Sequence, residues 1–242
     1  MGIALGCLAT LDPVISSDPV MKQSVIIAAV IGSQAQDFDT VLKLRNNAAY
    51  IRNHRGITHS LPAVLTWPFI ITGVIAIFVP QVNFLHLWLW TFLAVFLHVF
   101  VDIFNAYGTQ ALRPFTNRWV ALGVINIFDP VIFFFHVAAI FLWGYGFNPG
   151  YTFLFLYFGL TGYYIWRFSA RNKVVKEARK LHPDATHVFI SPTIRWGNWH
   201  VVIRTKEMLY VASYKENRIN FLESYRFEPI PDDPVINAAR KD

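Results

Sequence analysis

The sequence predicts an all-α integral membrane bundle of about four transmembrane helices, with short helices before them and a small β-rich soluble unit after them. Hydrophobic residues make up 55% of the 242 residues and charged residues only 15%, against about 25% charged residues in soluble domains. The apolar residues form runs of about 20, the length that crosses a bilayer. From His182 onward the composition changes to short runs rich in Val, Ile, Tyr and Phe.

The N-terminal quarter is predicted to form short helices followed by a polar segment. Met1–Leu11 is apolar but too short to cross a bilayer. Asp18 followed by Pro19 is typical of a helix start, and the helix should continue to about Ser33. Ser60 is the expected cap of the first full span.

Four apolar stretches are predicted to cross the membrane. The turn after the first and the turn after the third hold no lysine or arginine, whereas segments 43–58, 105–119 and 167–180 hold four, two and six. All charged segments therefore fall on one side, which the positive-inside rule makes cytoplasmic together with the C-terminus. The predicted spans are Leu61–Pro80, Leu85–Phe104, Val120–Trp143 and Tyr151–Phe168.

The C-terminal segment is predicted to be a separate soluble unit. Its short runs of β-branched and aromatic residues are typical of a small antiparallel sheet. This divides the chain into a membrane-embedded domain at 1–180 and a cytoplasmic β-rich unit at 181–242, whose last dozen residues form a tail. The predicted strands are HVFISPT, WHVVIRT, MLYVASY and NRINFLESYRF.

One histidine–aspartate pair lies inside the second predicted span. His98 and Asp102 are four residues apart and therefore share one face of a helix. An ionisable pair within a membrane helix indicates a functional site by default. The structural alternative is a buried hydrogen bond without an ion. Within a metal site, Asp102 is either a ligand or the residue that orients His98.

Two further pairs precede the first span on the same predicted side. Asp37 and Asp39 lie in a polar turn, either as ligands or as a helix-terminal cap pair. His54 and His59 flank Gly56, where a turn would aim both at one ion; otherwise they are interfacial residues beside arginines. Such ligands without cysteine suit Zn²⁺, or alternatively Mn²⁺ or Fe²⁺. The predicted metal ligands are Asp37, Asp39, His54, His59, His98 and Asp102.

Three residues near these pairs have less specific patterns. Asp129 is either a ligand or the turn residue before a proline, and His136 is predicted to be a core histidine. Arg113 is expected to hold a phosphate group, although anionic lipid head groups are equally suitable partners. The predicted catalytic residues are Asp37, Asp102 and Arg113.

Three blocks of the sequence together resemble a known family. The blocks GSQAQDFD, HRGITHS and HVFVDIFNAYGTQALRPF lie within a match of roughly residues 2–135. This combination is similar to the LexA-regulated inner-membrane metal-dependent hydrolases (YdjM-like). The resemblance implies a multi-pass inner-membrane protein with a metal-dependent hydrolase site. Gln36 stands where that family has a proline, and the chain opens at MGIALG without the family's Thr-His.

The predicted function is hydrolysis of an ester at the cytoplasmic membrane face through a metal-activated water. A phosphoester or lipid-like substrate is expected, with membrane lipids as partners, because a site at the bilayer surface meets lipids first. The net charge of +6 does not indicate nucleic-acid binding, since the basic residues flank apolar runs. The alternative is a non-catalytic regulatory or structural membrane protein with a metal site. A transporter is disfavoured because no helix breaks occur at mid-membrane.

Overall fold

The chain forms a helical unit and a sheet unit in a computed structural model, which describes residues 1–47, 50 and 53–227. The first unit comprises Met1–Ser169 and the second Ala170–Asp242. The boundary between these two units lies inside one long helix, Pro149–Leu181, and the predicted domain division after residue 180 stays a prediction.

Aspartate caps define the short N-terminal helices. Asp12 accepts the N–H of Val14 and Asp18 accepts the N–H of Val20, each just before a proline at the first helical position. The helix start predicted at Asp18 is therefore confirmed. The elements are α1 (Gly2–Leu8), α2 (Pro13–Ser16), α3 (Pro19–Gly32) and, after a 47° bend, a 3-10 helix at Ala35–Leu44.

Two helices in the described part of the chain are long and apolar enough to cross a membrane. The first, α4 (Leu61–Phe78), is capped by the Ser60 hydroxyl as predicted. The second, α5 (Phe84–Phe104), is capped by the side chain of Asn83. The bent pair Pro19–Leu44 adds a third if it is treated as a single span.

The third and fourth predicted spans differ from the expectation, so four transmembrane helices stay a prediction. The stretch from Val120 is not helical at first, because the N–H groups of Leu122 and Val124 bond to carbonyls at the end of α5. Helix α6 (Pro130–Gly144) therefore has only 15 residues. The fourth stretch begins a 33-residue helix, α7 (Pro149–Leu181), which continues into the basic segment.

The core of the helical unit aligns the end of α3 with the last turns of α5. Val25 and Ala28 of α3 pack in one buried cluster with Leu87 and Val95 of α5. Gly32 lets the helices approach closely, since a Cβ there would lie 3.3 Å from a carbonyl oxygen of α5. This packing fixes the position of the chain that follows α3.

The second unit is an antiparallel sheet, as the sequence predicts, and its four strands pair in the order in which they occur along the chain. The last turns of α7 supply Val174 and Ala178 to its core, which contains the buried Trp199. The predicted C-terminal tail lies outside the described residues. The strands are β1 (His187–Pro192), β2 (Trp199–Arg204), β3 (Met208–Lys215) and β4 (Arg218–Arg226).

Candidate metal site

The bend after α3 places two carboxylates beside the last turns of α5. Gln36 is fully buried, and its side-chain amide donates a hydrogen bond of 3.0 Å to the carbonyl of Val95. This bond fixes the 3-10 segment against α5. Asp37 and Asp39 follow on that segment, with side chains that are 40% and 3% exposed. Neither carboxylate caps the segment through a hydrogen bond, and Asp39 bonds to the chain around His54 instead.

Asp39 organises the HRGITH turn (His54–His59). One oxygen accepts from His54 Nδ1 at 2.9 Å; the other accepts from the Arg55 N–H at 2.9 Å and the Thr58 hydroxyl at 3.0 Å. The turn requires an unusual backbone, since Arg55 has φ +59° and a Cβ on Gly56 would lie 2.9 Å from a carbonyl oxygen. The turn therefore depends on Asp39 and on this glycine.

His59 and His98 are both held through their Nδ1 atoms. His98 Nδ1 lies 2.8 Å from the carbonyl oxygen of Ser33, which can only accept, so this nitrogen carries the proton. The Thr58 hydroxyl donates to Asp39 and therefore accepts from His59 Nδ1 at 3.0 Å. In each neutral imidazole the unprotonated nitrogen is therefore Nε2, and an unprotonated ring nitrogen is the atom that binds a metal.

Two carboxylates approach the Nε2 atoms of two histidines, and we call Asp37, His59, His98 and Asp102 the four-donor cluster. His59 Nε2 lies 3.3 Å from Asp102 Oδ2 and 3.7 Å from Asp37 Oδ1. His98 Nε2 lies 3.6 Å from Asp102 Oδ2 and 3.7 Å from Asp37 Oδ2. These nitrogen–oxygen spacings are close to about 3.4 Å, the ligand–ligand distance at a tetrahedral metal with bonds near 2.1 Å. The ligand atoms of Asp37, His59 and His98 lie within 4.8 Å of one another, and Asp102 lies next to both histidines.

Three atoms of the four-donor cluster are buried without a hydrogen-bond partner: His59 Nε2, His98 Nε2 and Asp102 Oδ2. The close approach of His59 Nε2 to Asp102 Oδ2 lacks hydrogen-bond geometry. Each unpartnered buried group costs about 1–3 kcal/mol. A cation among them would remove this cost, so these residues fit a divalent metal.

The other oxygen of Asp102 is held from outside the cluster. Oδ1 lies 3.2 Å from an Arg55 guanidinium nitrogen and accepts from the Asn105 amide at 3.4 Å. The guanidinium also donates to Asn105 Oδ1 and to the carbonyl of Gly108. Asp102 therefore has one oxygen beside the two histidine Nε2 atoms and one oxygen anchored by Arg55 and Asn105, whereas His98 is oriented by the carbonyl of Ser33.

His54 belongs to a second group of potential ligands. Its ring centroid lies 6.2 Å from that of His59. One group that could hold an ion is Asp37, His59 and His98, and the other is Asp37, Asp39 and His54. Asp39 already accepts three hydrogen bonds, so the second group is less available to an ion. The structure thus divides five of the six predicted ligands between two groups that share Asp37, and Asp102 lies beside the first group. Metal binding stays a prediction.

Arg113 lies beside the HRGITH turn, outside both groups. Its Nε donates to Asn117 Oδ1 at 2.8 Å, and its carbonyl accepts the Leu61 N–H. One guanidinium nitrogen lies 3.3 Å from the position that a Cβ on Gly56 would occupy. The half-buried arginine therefore borders the site, and its role toward a phosphate stays a prediction.

Asp129 and His136 lie outside the groups of potential ligands found among residues 1–47, 50 and 53–227. Asp129 Oδ1 caps α6 by accepting the N–H groups of Val131 and Ile132, and Oδ2 accepts the Tyr163 hydroxyl at 2.8 Å. His136 Nδ1 donates to the Ile132 carbonyl. Of the two interpretations of Asp129, the structure shows the turn residue.

Two residues that position the site carry no sequence signal of their own. Ser33 contributes only its main-chain carbonyl, which no side-chain pattern reveals. Gln36 differs from the proline of the family pattern, yet it is fully buried and anchors the segment that carries Asp37. The one hint in the sequence is that Gln36 is a polar residue next to the predicted ligand Asp37.

Comparisons with known proteins agree with the two-unit structure. A family model described as YdjM inner membrane protein matches residues 1–174, and one described as YfhP middle domain matches residues 183–225. The chain is 53% identical over 243 residues to the uncharacterized protein YfhP of Bacillus subtilis (strain 168), covering 100% of this chain and 74% of that protein. No solved structure matches the chain.

Proposed function

Because the chain belongs to the YdjM inner membrane protein family, we propose that it is a membrane-bound metal-dependent hydrolase with its site at the cytoplasmic face. The observation that carries this proposal is the four-donor cluster, with its three buried, unpartnered atoms. Asp37, His59, His98 and Asp102 would hold one divalent cation, Zn²⁺ first and Mn²⁺ or Fe²⁺ as alternatives. The reaction is cleavage of an ester, foremost a phosphoester in a lipid-like substrate.

The surrounding residues prepare this site for a cation and a substrate. A bound divalent cation supplies Lewis acidity, which lowers the pKa of a coordinated water and polarises a phosphoryl oxygen. Asp39 holds His59 through Thr58. It also binds His54 Nδ1, which leaves His54 Nε2 as the nitrogen able to accept a proton. Arg113, at the border of the site, would bind a phosphate oxygen.

The proposal includes a multi-pass arrangement with the C-terminal sheet unit in the cytoplasm. Its support is the distribution of lysine and arginine, since the segments at 105–119 and 167–180 hold eight of them together and the turn between α4 and α5 holds none. The four-donor cluster lies near the C-terminal end of α5, on the side of these basic segments.

The metal content of the detergent-purified protein, measured together with ester hydrolysis, tests the proposal. We expect about one equivalent of a divalent metal and hydrolysis of phosphatidic acid or bis(p-nitrophenyl) phosphate that EDTA abolishes. His98→Ala should lose the metal and reduce hydrolysis by more than about 100-fold, since even outer-shell changes cost 10–100-fold. His86→Ala, on the same helix, should keep both properties.

Two outcomes would contradict the hydrolase. Metal bound at His98 without turnover of any phosphoester or carboxylic ester would support the alternative of a regulatory or structural membrane protein. Hydrolysis that persists unchanged in His98→Ala would show that the reaction occurs elsewhere.

Arg113→Ala tests the substrate role apart from the metal role. We expect hydrolysis to fall about tenfold or more, because a charge-assisted contact to the phosphate is lost, while metal content stays unchanged. Arg118→Ala is the matched control, since Arg118 is an exposed arginine in the same loop. Equal effects of the two substitutions would mean that Arg113 acts only through general charge.

A further inference from the structure

A large apolar cleft lies in the helical unit. Its volume is about 910 Å³, within the range of pockets that enclose small-molecule ligands. Leu97 and Val101 of α5 form part of its wall, and residues of α1, α3, α6, α7 and the segment 125–129 contribute to the rest. Most of the lining is aliphatic and aromatic side chains, with Asn126, Asp129 and His136 among the polar residues, and this balance favours a hydrocarbon ligand.

The cleft and the four-donor cluster share a wall. Ser33 lines the cleft, and its carbonyl oxygen holds His98 Nδ1 at 2.8 Å. Leu97 and Val101 line the cleft and immediately precede His98 and Asp102 on α5. Because successive helical residues are about 100° apart, the two pairs lie on adjacent faces of this helix. A ligand with a polar end and an apolar end therefore has neighbouring places for both.

The cleft opens toward the surface that an inner-membrane protein presents to lipid. Phe100, Phe133 and Ile140 line it and are 42%, 48% and 45% exposed. All three belong to α5 and α6, which are apolar helices. Lipid chains are the apolar molecules available at such a surface, and they need no hydrogen bond from the lining.

We propose that this cleft binds an acyl chain of a membrane phospholipid whose phosphate lies at the four-donor cluster. The role given to the phosphate rests on the proposed hydrolase function, whereas binding of the chain does not. The assignment narrows the substrate from an ester in general to a phosphate-headed lipid.

Photolabelling of the full-length protein in nanodiscs tests the proposal. The probe is phosphatidic acid with a diazirine near the end of one acyl chain, and mass spectrometry locates the labelled residues. We expect labelling at residues 97–104 of α5 and 153–165 of α7 that excess unlabelled phosphatidic acid removes. Labelling confined to the outer surface of α4, around Ile77 and Phe78, would overturn the proposal.

Filling the cleft provides an independent test. Thr161 lines the cleft, and its hydroxyl bonds only to its own helix, at the carbonyl of Tyr157. Thr161→Trp should lower cleft labelling about tenfold, since displacing two methylene groups from apolar contact has roughly that effect on affinity. Leu154→Trp is the matched control, because Leu154 is exposed on α7 outside the cleft. Equal labelling of the two variants would contradict the assignment.

The failure of this proposal is distinguishable from failure of the hydrolase function. His98 does not line the cleft, so His98→Ala should keep chain labelling while losing metal and hydrolysis. Cleft labelling without hydrolysis of any phosphoester or carboxylic ester would end the hydrolase proposal and leave the cleft proposal standing. Metal-dependent hydrolysis without cleft labelling would end the cleft proposal and leave the hydrolase proposal standing. If Thr161→Trp also loses its metal, it has not folded, and the wild-type labelling map decides.

Discussion

Helix α5 carries histidine–aspartate contacts at both ends. Among the described residues, only the contacts at its C-terminal end include buried histidine and aspartate atoms without a hydrogen-bond partner. In the first turn, His86 Nδ1 lies 2.6 Å from Asp12 Oδ2, and Asp12 Oδ1 accepts the N–H of Val14. In the last turns, His98 Nε2 and Asp102 Oδ2 are buried without a hydrogen-bond partner, and so is the facing His59 Nε2. The same residue types therefore serve two different purposes.

The balance of protons and acceptors explains the difference. At the start of α5, one imidazole meets one carboxylate, and each carboxylate oxygen has a donor. At the end of α5, His98 and His59 donate their Nδ1 protons to Ser33 and Thr58. Their Nε2 atoms therefore present only lone pairs to two carboxylates, which also present only lone pairs. An excess of buried acceptors is relieved by added protons or by a cation, so this count distinguishes a candidate metal site from a structural pair.

The largest expected contrast is in accessibility, because the two ends of α5 should lie on opposite sides of the membrane. In a Cys7→Ser background, Gln81→Cys should react with an impermeant maleimide in intact cells, and Arg118→Cys only after permeabilisation. Tyr145→Cys should react like Gln81→Cys if α6 and α7 complete a four-span bundle. Labelling of Gln81→Cys only after permeabilisation would invert the model of topology.

Removing one charge from each pair should separate their roles. Asp102→Asn should lower metal affinity by about 100-fold or more, because it removes a ligand and places an amide donor against the two histidine Nε2 atoms. The same donor satisfies the buried acceptors, so the metal-free variant should unfold at an equal or higher temperature than the metal-free wild type. Asp12→Asn should leave metal affinity unchanged. A metal affinity that is insensitive to Asp102→Asn would contradict the count of acceptors.

The Asp39–Thr58–His59 relay should contribute a smaller effect. Thr58→Val removes the hydroxyl without changing the shape of the side chain, so His59 loses the acceptor that fixes its Nδ1 proton. We expect metal affinity to fall about 10–100-fold, as for other outer-shell changes, which titration calorimetry can measure. Thr66→Val is the control, since that hydroxyl bonds only to the Pro62 carbonyl of its own helix. Equal effects in both variants would refute the relay.

The Asp12–His86 pair should affect stability alone. Asp12→Ala removes the cap of α2 and should lower the free energy of unfolding by about 1 kcal/mol, whereas Asp12→Asn should retain the cap. Partial burial alone would raise the pKa of Asp12, but the hydrogen bonds from His86 and the Val14 N–H outweigh it and lower the pKa. The stabilisation is therefore complete above the ordinary aspartate pKa of about 3.9 and is lost as pH falls below it. Thermal unfolding of wild type and Asp12→Asn between neutral and acidic pH measures this loss; a difference that grows in acid would contradict it.

Local patterns predicted the elements whose causes are local. Asp18 and Ser60 start helices because each is a side-chain cap within the segment it begins. The four strands of the second unit followed from runs of β-branched and aromatic residues. The third span did not follow the pattern, because Leu122 and Val124 bond to the end of α5. Hydropathy along the chain does not register such contacts between distant segments.

The sequence by itself determined the membrane character, the family and the identities of the paired histidines and aspartates, because composition and spacing encode them directly. Only the tertiary structure decided how those residues divide. It placed Asp37, His59, His98 and Asp102 together, assigned Asp39 to the HRGITH turn, and made Asp129 a helix cap. The physical reason is that a side chain's role depends on which neighbouring groups can still donate a hydrogen bond to it. Those neighbours come from segments far apart in the chain.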